Sequence, residues 1–267
     1  MPSELKPAVL PPTADRLAGL LDPWRARAPV WEEVFIGSFA HAGAVYRIPR
    51  YRFLGPAAGH EPIRLGVFAG VHGDEPAGSL ALADFAAALA GEPARAAGYE
   101  LSLYPACNPA GLAAGTRGNG GGQDLNREFW RNSAEPEIAI LEAELIAQPF
   151  DGLITLHTDD TSEGLYGYAH GRVLNEALLK PALAAAAALI PRDERERIDG
   201  FCAQGGVLRD CFPGVLSAPP QRRSQPFDLI FETPGHAPLD LQARAAAAAL
   251  NAILAEYRGF IAYGQDL

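Results

Sequence analysis

The string His72-Gly-Asp-Glu75 contains two side chains that could bind a metal ion. Its short spacer lets one turn present an imidazole and a carboxylate together. A catalytic zinc site commonly has three protein ligands, and two histidines with one glutamate form an established set. The pair alone is better explained by a turn histidine and a glutamate that complements the N-terminal dipole of a helix, because the pattern is short. The string therefore indicates a metal site only in combination with a third ligand.

The natural third ligand is His157, which follows the apolar run 152–156 and precedes Thr158. A second apolar run, 228–231, leads directly into Glu232. A carboxylate beside a metal can take a proton from the attacking water and pass it to a leaving amine. The alternative for Glu232 is a solvated residue at the start of a Pro-Gly turn. With the third ligand in place, we interpret His72, Glu75 and His157 as metal ligands and Glu232 as the general base.

Between these segments lie Arg117 and the string Asp124-Leu-Asn126-Arg127, in and after a loop rich in glycine. A Gly-rich loop can bind phosphate, but this one lacks the Lys-Ser/Thr ending and the G-x-G-x-x-G pattern of nucleotide sites. Arginine binds a carboxylate through two hydrogen bonds, and a second arginine can stabilise a developing oxyanion. Near a metal, Arg117, Asn126 and Arg127 therefore favour an anionic substrate, although surface ion pairing would also account for either arginine alone.

The elements that position these residues alternate between strands and helices. Trp31 to Leu54 predicts two antiparallel strands with a turn near Ala42-Gly43. Further strands are predicted at 63–71, 99–104, 152–156 and 228–231, and helices at 76–89, 135–147, 175–190 and 239–257. This alternation is typical of an α/β sheet covered by helices on both faces. Because ligand sites in such sheets lie beyond the carboxyl ends of the strands, His72, His157 and Glu232 are expected to converge.

The composition limits the classes of partner and compartment. The chain has 267 residues, 48% hydrophobic and 20% charged, with a formal net charge of -10. We expect one hydrolase domain over residues 1–267, with an irregular lead-in over residues 1–30. The negative charge argues against nucleic acid or an anionic membrane as partner. No signal peptide pattern starts the sequence, and we expect a cytoplasmic location. The sequence does not indicate an oligomeric state.

Six motifs, taken in order, resemble those of the zinc metallocarboxypeptidase superfamily. That superfamily includes the digestive carboxypeptidases and a branch with succinylglutamate desuccinylase and aspartoacylase. The chain is more similar to the compact bacterial proteins of that branch in the H-G-D-E and F-E-T strings and in the short spacing from Arg117 to Asn126. The resemblance spans about residues 63 to 235 and rests on His72-Gly-Asp-Glu75, Asn108-Pro, Arg117, Asp124-Leu-Asn126-Arg127, Leu156-His157-Thr158 and Phe231-Glu232-Thr233.

The resemblance implies a mixed, mainly parallel eight-stranded sheet sandwiched between helices. It implies one zinc ion per chain, held by His72, Glu75 and His157, with Glu232 as base and then acid. Arg117 would stabilise the tetrahedral oxyanion. The residues implied to contact the substrate are Asn108, Asn126, Arg127, Tyr166 and Tyr168. The two tyrosines, in Gly164-Leu-Tyr166-Gly-Tyr168, are equally compatible with a plain strand and turn.

The sequence departs from the carboxypeptidase pattern near the substrate. The digestive enzymes have a mobile tyrosine shortly before the catalytic glutamate, whereas no tyrosine occurs here between Tyr168 and Tyr257. The segment 200–228 is short and rich in proline, so it leaves the side-chain pocket undefined. One hypothesis is that Arg209, Arg222 or Arg223 lines this pocket and favours acidic side chains. Another is that the acidic cluster Asp159, Asp160 and Glu163 beside the metal receives a substrate ammonium group. Alternatively, Asp159 or Asp160 fixes the tautomer of a histidine.

The sequence thus predicts a zinc-dependent amide hydrolase that cleaves a peptide or peptide-like substrate with a free carboxylate. The first alternative is a deacylase of N-acyl amino acids, which uses the same chemistry on a smaller substrate. A non-catalytic protein that retains the metal is a more distant alternative. The presence of Glu232 and Arg117 together with all three ligands argues against it, because such proteins usually lose a catalytic residue.

Overall fold

The structure is a computed structural model that describes residues 18–22, 31–170, 172–222 and 226–265. Apart from residues 18–22, the predicted lead-in over residues 1–30 lies outside these ranges. The described residues contain ten strands: β1 (Glu32–His41), β2 (Ala44–Leu54), β3 (Ile63–Ala69), β4 (Tyr99–Tyr104), β5 (Gly152–Asp159), β6 (Tyr166–Ala169), β7 (Arg197–Ile198), β8 (Phe201–Gln204), β9 (Val207–Leu208) and β10 (Phe227–Pro234).

These strands form one mixed sheet in the order β1-β2-β4-β3-β5-β10-β6-β9-β8-β7. The four central strands, β4, β3, β5 and β10, run parallel to one another. The flanking pairs are antiparallel, except that β6 and β9 make a short parallel contact. The sheet therefore has ten strands rather than eight and is parallel mainly at its centre. Strands β7, β8 and β9 are short and lie within residues 197–208, where hydrophobic alternation is too brief to reveal them.

The predicted turn between β1 and β2 is confirmed at Ala42-Gly43. Both residues have positive φ, at 48° for Ala42 and 80° for Gly43. A two-residue hairpin turn with positive φ at both positions matches the right-handed twist of the flanking strands, and glycine reaches this conformation at no steric cost. The hairpin extends the sheet on one side, since β2 pairs with β4.

The main helices are α1 (Pro76–Gly91), α2 (Pro109–Ala114), α3 (Pro136–Ala147), α4 (Lys180–Ala186) and α5 (Leu239–Gln265). Proline lies at the start of α1, α2 and α3, where its missing N–H costs no helical hydrogen bond. The predicted helix 175–190 begins as a π-helical segment, Asn175–Leu179, and its regular part ends at Ala186. Glu135 occupies the N-cap position of α3, and its backbone N–H donates to Oγ of Ser133 at 3.3 Å.

Alternating residues of the central strands supply two cores, one on each face of the sheet. On β3, Val67 belongs to the core that α1, α4 and α5 cover, whereas Phe68 belongs to the core that α3 covers. On β5, Ile154 and Leu153 divide in the same way. The prediction of a sheet between two helical layers is therefore confirmed. Within the described residues, none of the helices has the length and apolar character needed to span a membrane.

Candidate active site

The turn after β3 places His72 and Glu75 next to each other. Glu75 occupies the N-cap position of α1, but its side chain makes no cap hydrogen bond. Its carboxylate points toward the histidines, which excludes a simple capping role. Gly73 packs so closely against α2 that an added Cβ would lie 1.9 Å from the carbonyl carbon of Gly111. A side chain at position 73 would thus displace the turn, so glycine is required between the two predicted ligands.

The carboxylate of Glu75 bonds to both histidines in the interior of the protein. His72 Nδ1 lies 2.6 Å from Oε1 of Glu75, and His157 Nδ1 lies 2.9 Å from Oε2. The backbone N–H of Thr158 also donates to Oε2, at 3.0 Å. All three side chains are buried, and their exposed fractions are 3% for His72, 6% for Glu75 and 4% for His157. The structure therefore brings the three predicted ligands together from two separate segments of the chain.

This buried cluster shifts the pKa values of its members in different directions. Burial opposes the charge of Glu75, but His157 and His72 outweigh it and lower the pKa of Glu75 to about 2. Burial also opposes the charged form of His72, yet bonds to Asp124 and Glu75 outweigh it and raise the pKa. For His157, burial dominates and lowers the pKa. The cluster thus keeps a negative carboxylate between two imidazoles.

Asp124 fixes the orientation of the His72 ring through its Nε2 atom, a role for which the sequence suggested Asp159 or Asp160. Its Oδ1 lies 2.9 Å from Nε2 of His72 and its Oδ2 accepts a bond from Nε of Arg117 at 3.2 Å. Burial opposes ionisation of Asp124, but the bond to His72 and nearby cations lower its pKa. An acceptor on Nε2 leaves Nδ1 facing the cluster, which is how proteins orient histidine ligands. The sequence signal that could have indicated this role is the position of Asp124 in the string Asp124-Leu-Asn126-Arg127, two residues before Asn126.

The three residues fit a zinc ion by their donor chemistry. Each offers one donor atom, and these atoms lie within 4.8 Å of one another. Both histidines present the same nitrogen, Nδ1, toward the shared carboxylate. Two imidazole nitrogens and one carboxylate oxygen form a set that zinc accepts in catalytic sites, with a coordination position left for substrate or solvent. The oriented outer nitrogen of His72 supplies the supporting contact that such sites use.

Glu232 lies on β10 directly opposite His157 on β5. The two residues are paired in the parallel register, so their side chains project from the same face of the sheet. The register continues to Pro234 opposite Asp159, which places His157 and Glu232 within the strands rather than at their ends. Within the described residues, the Glu232 carboxylate has no hydrogen-bond partner. Burial raises its pKa well above the usual range, and the negative charges of Glu75 and Asp159 add to this effect.

Two of the residues predicted to act on the substrate, Arg117 and Asn126, contact the cluster directly. Nη1 of Arg117 lies 3.3 Å from Oε1 of Glu75, and its side chain is about half exposed. Arg127 donates to the carbonyl of Asn126 at 2.8 Å and its guanidinium lies 4.1 Å from the ring centre of Phe212. Asn126 is buried, with Nδ2 3.4 Å from Nε2 of His157. Phe212 thus provides an aromatic surface for the Arg127 guanidinium.

One cavity of about 580 Å³, which we call the reaction cavity, is lined by His72, Glu75, Arg117, Asn126, Arg127, Phe212 and Glu232. Tyr166 and Tyr168 line it as well, and Tyr166 donates to Oδ2 of Asp159 at 2.9 Å. Glu163 of the predicted acidic cluster does not line the cavity. Four other acidic residues besides Glu75 and Glu232 do, namely Asp74, Asp159, Asp160 and Asp199. Asp199, which the sequence analysis did not single out, adopts a positive φ of 52° at this wall.

Asn108 differs from its predicted role. Its side chain is fully buried and lines neither this cavity nor a neighbouring one. Oδ1 accepts a bond from Gly111 N at 2.9 Å and caps α2, whereas Nδ2 donates to the carbonyl of Val71 at 3.2 Å. Because Val71 immediately precedes His72, Asn108 fixes the ligand turn instead of contacting a substrate. An Asn-Pro pair is a frequent helix start, and the pattern alone supports this role.

Residues 62–191 match the family model of the succinylglutamate desuccinylase/aspartoacylase catalytic domain. This range includes His72, Glu75 and His157 and ends before Glu232. The search of curated proteins finds no match.

Solved structures share the fold over most of the chain. A candidate metallopeptidase from Shewanella baltica is 26% identical, with a TM-score of 0.72 and 91% of each chain covered. A candidate metallopeptidase from Shewanella amazonensis is 25% identical, with a TM-score of 0.71 and coverage of 90% of this chain and 92% of that one. A metallo-carboxypeptidase from Burkholderia cenocepacia shares the fold at 19% identity, with a TM-score of 0.69 and coverage of 92% and 69%.

Proposed function

We propose that the protein is a zinc-dependent hydrolase of an amide bond next to a free carboxylate. The chain belongs to the metallocarboxypeptidase superfamily, near its succinylglutamate desuccinylase and aspartoacylase branch. One observation supports this activity above all. The buried cluster of His72, Glu75 and His157 borders a cavity, which His72 and Glu75 line together with the unpaired carboxylate of Glu232 and two arginines. A purely structural metal site would be closed by a fourth protein ligand and would need neither group.

His72, Glu75 and His157 would hold one zinc ion per chain. When bound, the ion polarises the scissile carbonyl and makes water acidic enough to attack near neutral pH. Asp124 keeps the Nδ1 side of His72 directed at the ion through its bond to Nε2. Thr158 N fixes one oxygen of Glu75, so the carboxylate orientation is set before any ligand arrives. The ligands thus require little rearrangement on metal binding.

Glu232 moves the proton in the proposed reaction. Its side chain projects beside that of His157, its register partner on the neighbouring strand. The carboxylate takes a proton from the attacking water and then delivers it to the leaving nitrogen. Among the described residues it has no competing hydrogen bond, so it is free to turn between water and leaving group. Arg117, half exposed at the cavity edge, stabilises the oxyanion that forms on the attacked carbonyl.

Arg127 and Asn126 bind the free carboxylate of the substrate in this proposal. Stacking on Phe212 holds the guanidinium plane in place and leaves its remaining N–H donors for a carboxylate. Asn126 is fixed by the bond from Leu216 N to its Oδ1, at 2.9 Å, so its amide nitrogen faces inward. Tyr166 and Tyr168 form the wall along which the rest of the substrate lies.

The charge of the cavity wall favours a peptide over an N-acyl amino acid with an acidic acyl group. Asp74, Asp159, Asp160 and Asp199 line the reaction cavity and give its wall a negative potential. An amino group on the substrate would be attracted to this wall, whereas a succinyl carboxylate would be repelled. The deacylase alternative is nevertheless supported by the family match over residues 62–191, and we retain it as the second candidate.

The proposal is tested by turnover of matched substrates by the zinc-loaded protein. We expect dipeptides with a free carboxylate to be hydrolysed at least about tenfold faster, in kcat/KM, than N-succinyl or N-acetyl amino acids. Masking the carboxylate as an amide should reduce kcat/KM about 100-fold, because the partners of Arg127 and Asn126 are then lost. Faster cleavage of N-acyl amino acids would establish the deacylase instead. Hydrolysis of none of these amides would exclude both and leave a metal-binding protein without this activity.

A further inference from the structure

A second cavity of about 430 Å³ adjoins the reaction cavity, and we call it the side cavity. The two are adjacent, because five residues line both of them: Tyr168, Cys211, Phe212, Val215 and Ile230. Phe212, which stacks on Arg127, is among the five. The boundary between the two cavities therefore lies beside the group proposed to hold the substrate carboxylate.

One face of β10 connects the two cavities. Along this strand Phe227, Leu229 and Phe231 are buried in the helical core, while the alternate residues Asp228, Ile230 and Glu232 are partly exposed. Glu232 lines the reaction cavity, Ile230 lines both, and Asp228 lines the side cavity. A period of two places these three side chains in a row on the same face of the sheet.

The neighbouring strand β6 extends this row sideways. In the antiparallel register Tyr166 pairs with Glu232 and Tyr168 pairs with Ile230. His170, just past the end of β6, donates its backbone N–H to the backbone carbonyl of Asp228 at 3.3 Å. Three successive residue pairs of β10 and β6 thus run along the two cavities. Glu232 belongs to the first pair and Asp228 to the last.

Asp228 is an acid in a largely apolar cavity. Other lining residues include Phe129, Trp130 and Leu216. Its carboxylate accepts a bond from Ala218 N at 3.3 Å, and no lysine or arginine among the described residues pairs with it. Burial raises its pKa to about 6, against the opposing effects of the Ala218 amide and of His170. Arg131 and His170 also line the cavity, but both are exposed.

Two of the arginines that the sequence suggested for such a pocket lie elsewhere. Neither Arg209 nor Arg222 lines either cavity, and Arg222 donates to the carbonyl of Gln148 at 3.1 Å. Arg223 lies outside the described residues. The hypothesis of a pocket that selects acidic side chains thus loses two of its three candidates, and the inner charge of the cavity has the opposite sign.

We infer that the side cavity receives the side chain of the substrate residue bearing the free carboxylate, and that Asp228 selects a cationic group at its end. This inference rests on the proposed amide hydrolysis. Four residues along a strand separate Asp228 from Glu232 by about 13 Å. A lysine side chain, counted from the scissile nitrogen to its ammonium group, spans about 8 Å, and a contact of about 3 Å at each end completes the distance.

The test compares dipeptide substrates that end in lysine, norleucine or glutamate, at pH 8, where the Asp228 carboxylate is ionised. Norleucine has nearly the length of lysine without its charge. For the zinc-loaded wild-type protein we expect kcat/KM for lysine to exceed that for norleucine at least about tenfold. Asp228→Asn keeps the size and the acceptor for Ala218 N, and should lower lysine turnover about 10- to 100-fold. Norleucine turnover should change less than about threefold, which also shows that the variant is folded.

Asp84→Asn is the matched control, because Asp84 is exposed and lines neither cavity. This substitution changes the net charge by the same amount as Asp228→Asn. Product inhibition of the wild-type protein gives a second measurement that needs no variant: L-lysine should inhibit at least about tenfold more strongly than L-norleucine. Equal use of lysine and norleucine, preference for glutamate, or an unchanged lysine preference in Asp228→Asn would overturn the inference while amide hydrolysis persists. Absence of turnover with every substrate would instead count against the proposed function.

Discussion

Replacing His157 with alanine is expected to remove bound zinc and to lower kcat/KM at least about 1000-fold. His157 supplies one of three donor atoms, and a site with two donors cannot hold the ion in a catalytic geometry. The substitution also removes a bond to Glu75, whose pKa near 2 depends first on His157 among its polar partners. Elemental analysis of the purified variant, together with turnover of a dipeptide substrate, gives both effects on one sample.

His60→Ala is the control for this prediction, because His60 is exposed and lines neither cavity. It should keep one zinc per chain and wild-type turnover. The thermal unfolding of His157→Ala should be compared with that of metal-stripped wild-type protein, so that loss of metal is separated from loss of fold. A His157→Ala variant that binds zinc stoichiometrically and remains active would show that the ligand set has been misidentified.

The Glu232→Gln variant is expected to bind zinc normally but to lose about 100- to 10,000-fold in kcat. Glutamine has the same shape but cannot take a proton from water, and a positioned acid–base group contributes a rate factor of this size. KM should change little, because Glu232 holds neither the substrate carboxylate nor the metal in this account. Steady-state kinetics with metal analysis distinguishes this pattern from that of a lost ligand.

Glu163→Gln is a matched acid-to-amide control, since Glu163 is exposed and lies outside the reaction cavity. It should retain wild-type kcat. Glu232→Gln with undiminished kcat on every amide tested would remove Glu232 from the mechanism, although the metal site could stand without it.

The sequence predicted the central part of the fold because periodicity there is strong. Continuous apolar runs mark β3, β5 and β10, and parallel strands align their carboxyl ends at one edge of the sheet. On this basis His157 and Glu232 were predicted to lie close together. The predicted strand ends were wrong, because β5 and β10 continue to pair as far as Asp159 and Pro234. Polar residues there still occupy strand backbone, and a sequence pattern based on hydrophobicity cannot detect that.

Other differences arise from interactions that sequence patterns do not encode. Asn108 matched a motif, but its partners are backbone groups of Gly111 and Val71, which only the folded chain brings near. The same holds for Asp124, whose contact with His72 joins residues 52 positions apart. The short strands β7, β8 and β9 have two to four residues each and so contain less than one clear period. Asp228 was assigned only to a strand, although its alternation with Ile230 and Glu232 was visible.

The most direct test of the account is a zinc titration of metal-stripped protein with activity measured at every step. We predict that the stripped protein hydrolyses a dipeptide substrate at less than about one-thousandth of the loaded rate, given the stabilisation that a metal supplies to the transition state. Activity should rise linearly with added zinc and stop at one ion per chain. Full activity in the stripped protein, or zinc binding without any return of activity, would contradict a metal-dependent hydrolase at His72, Glu75 and His157.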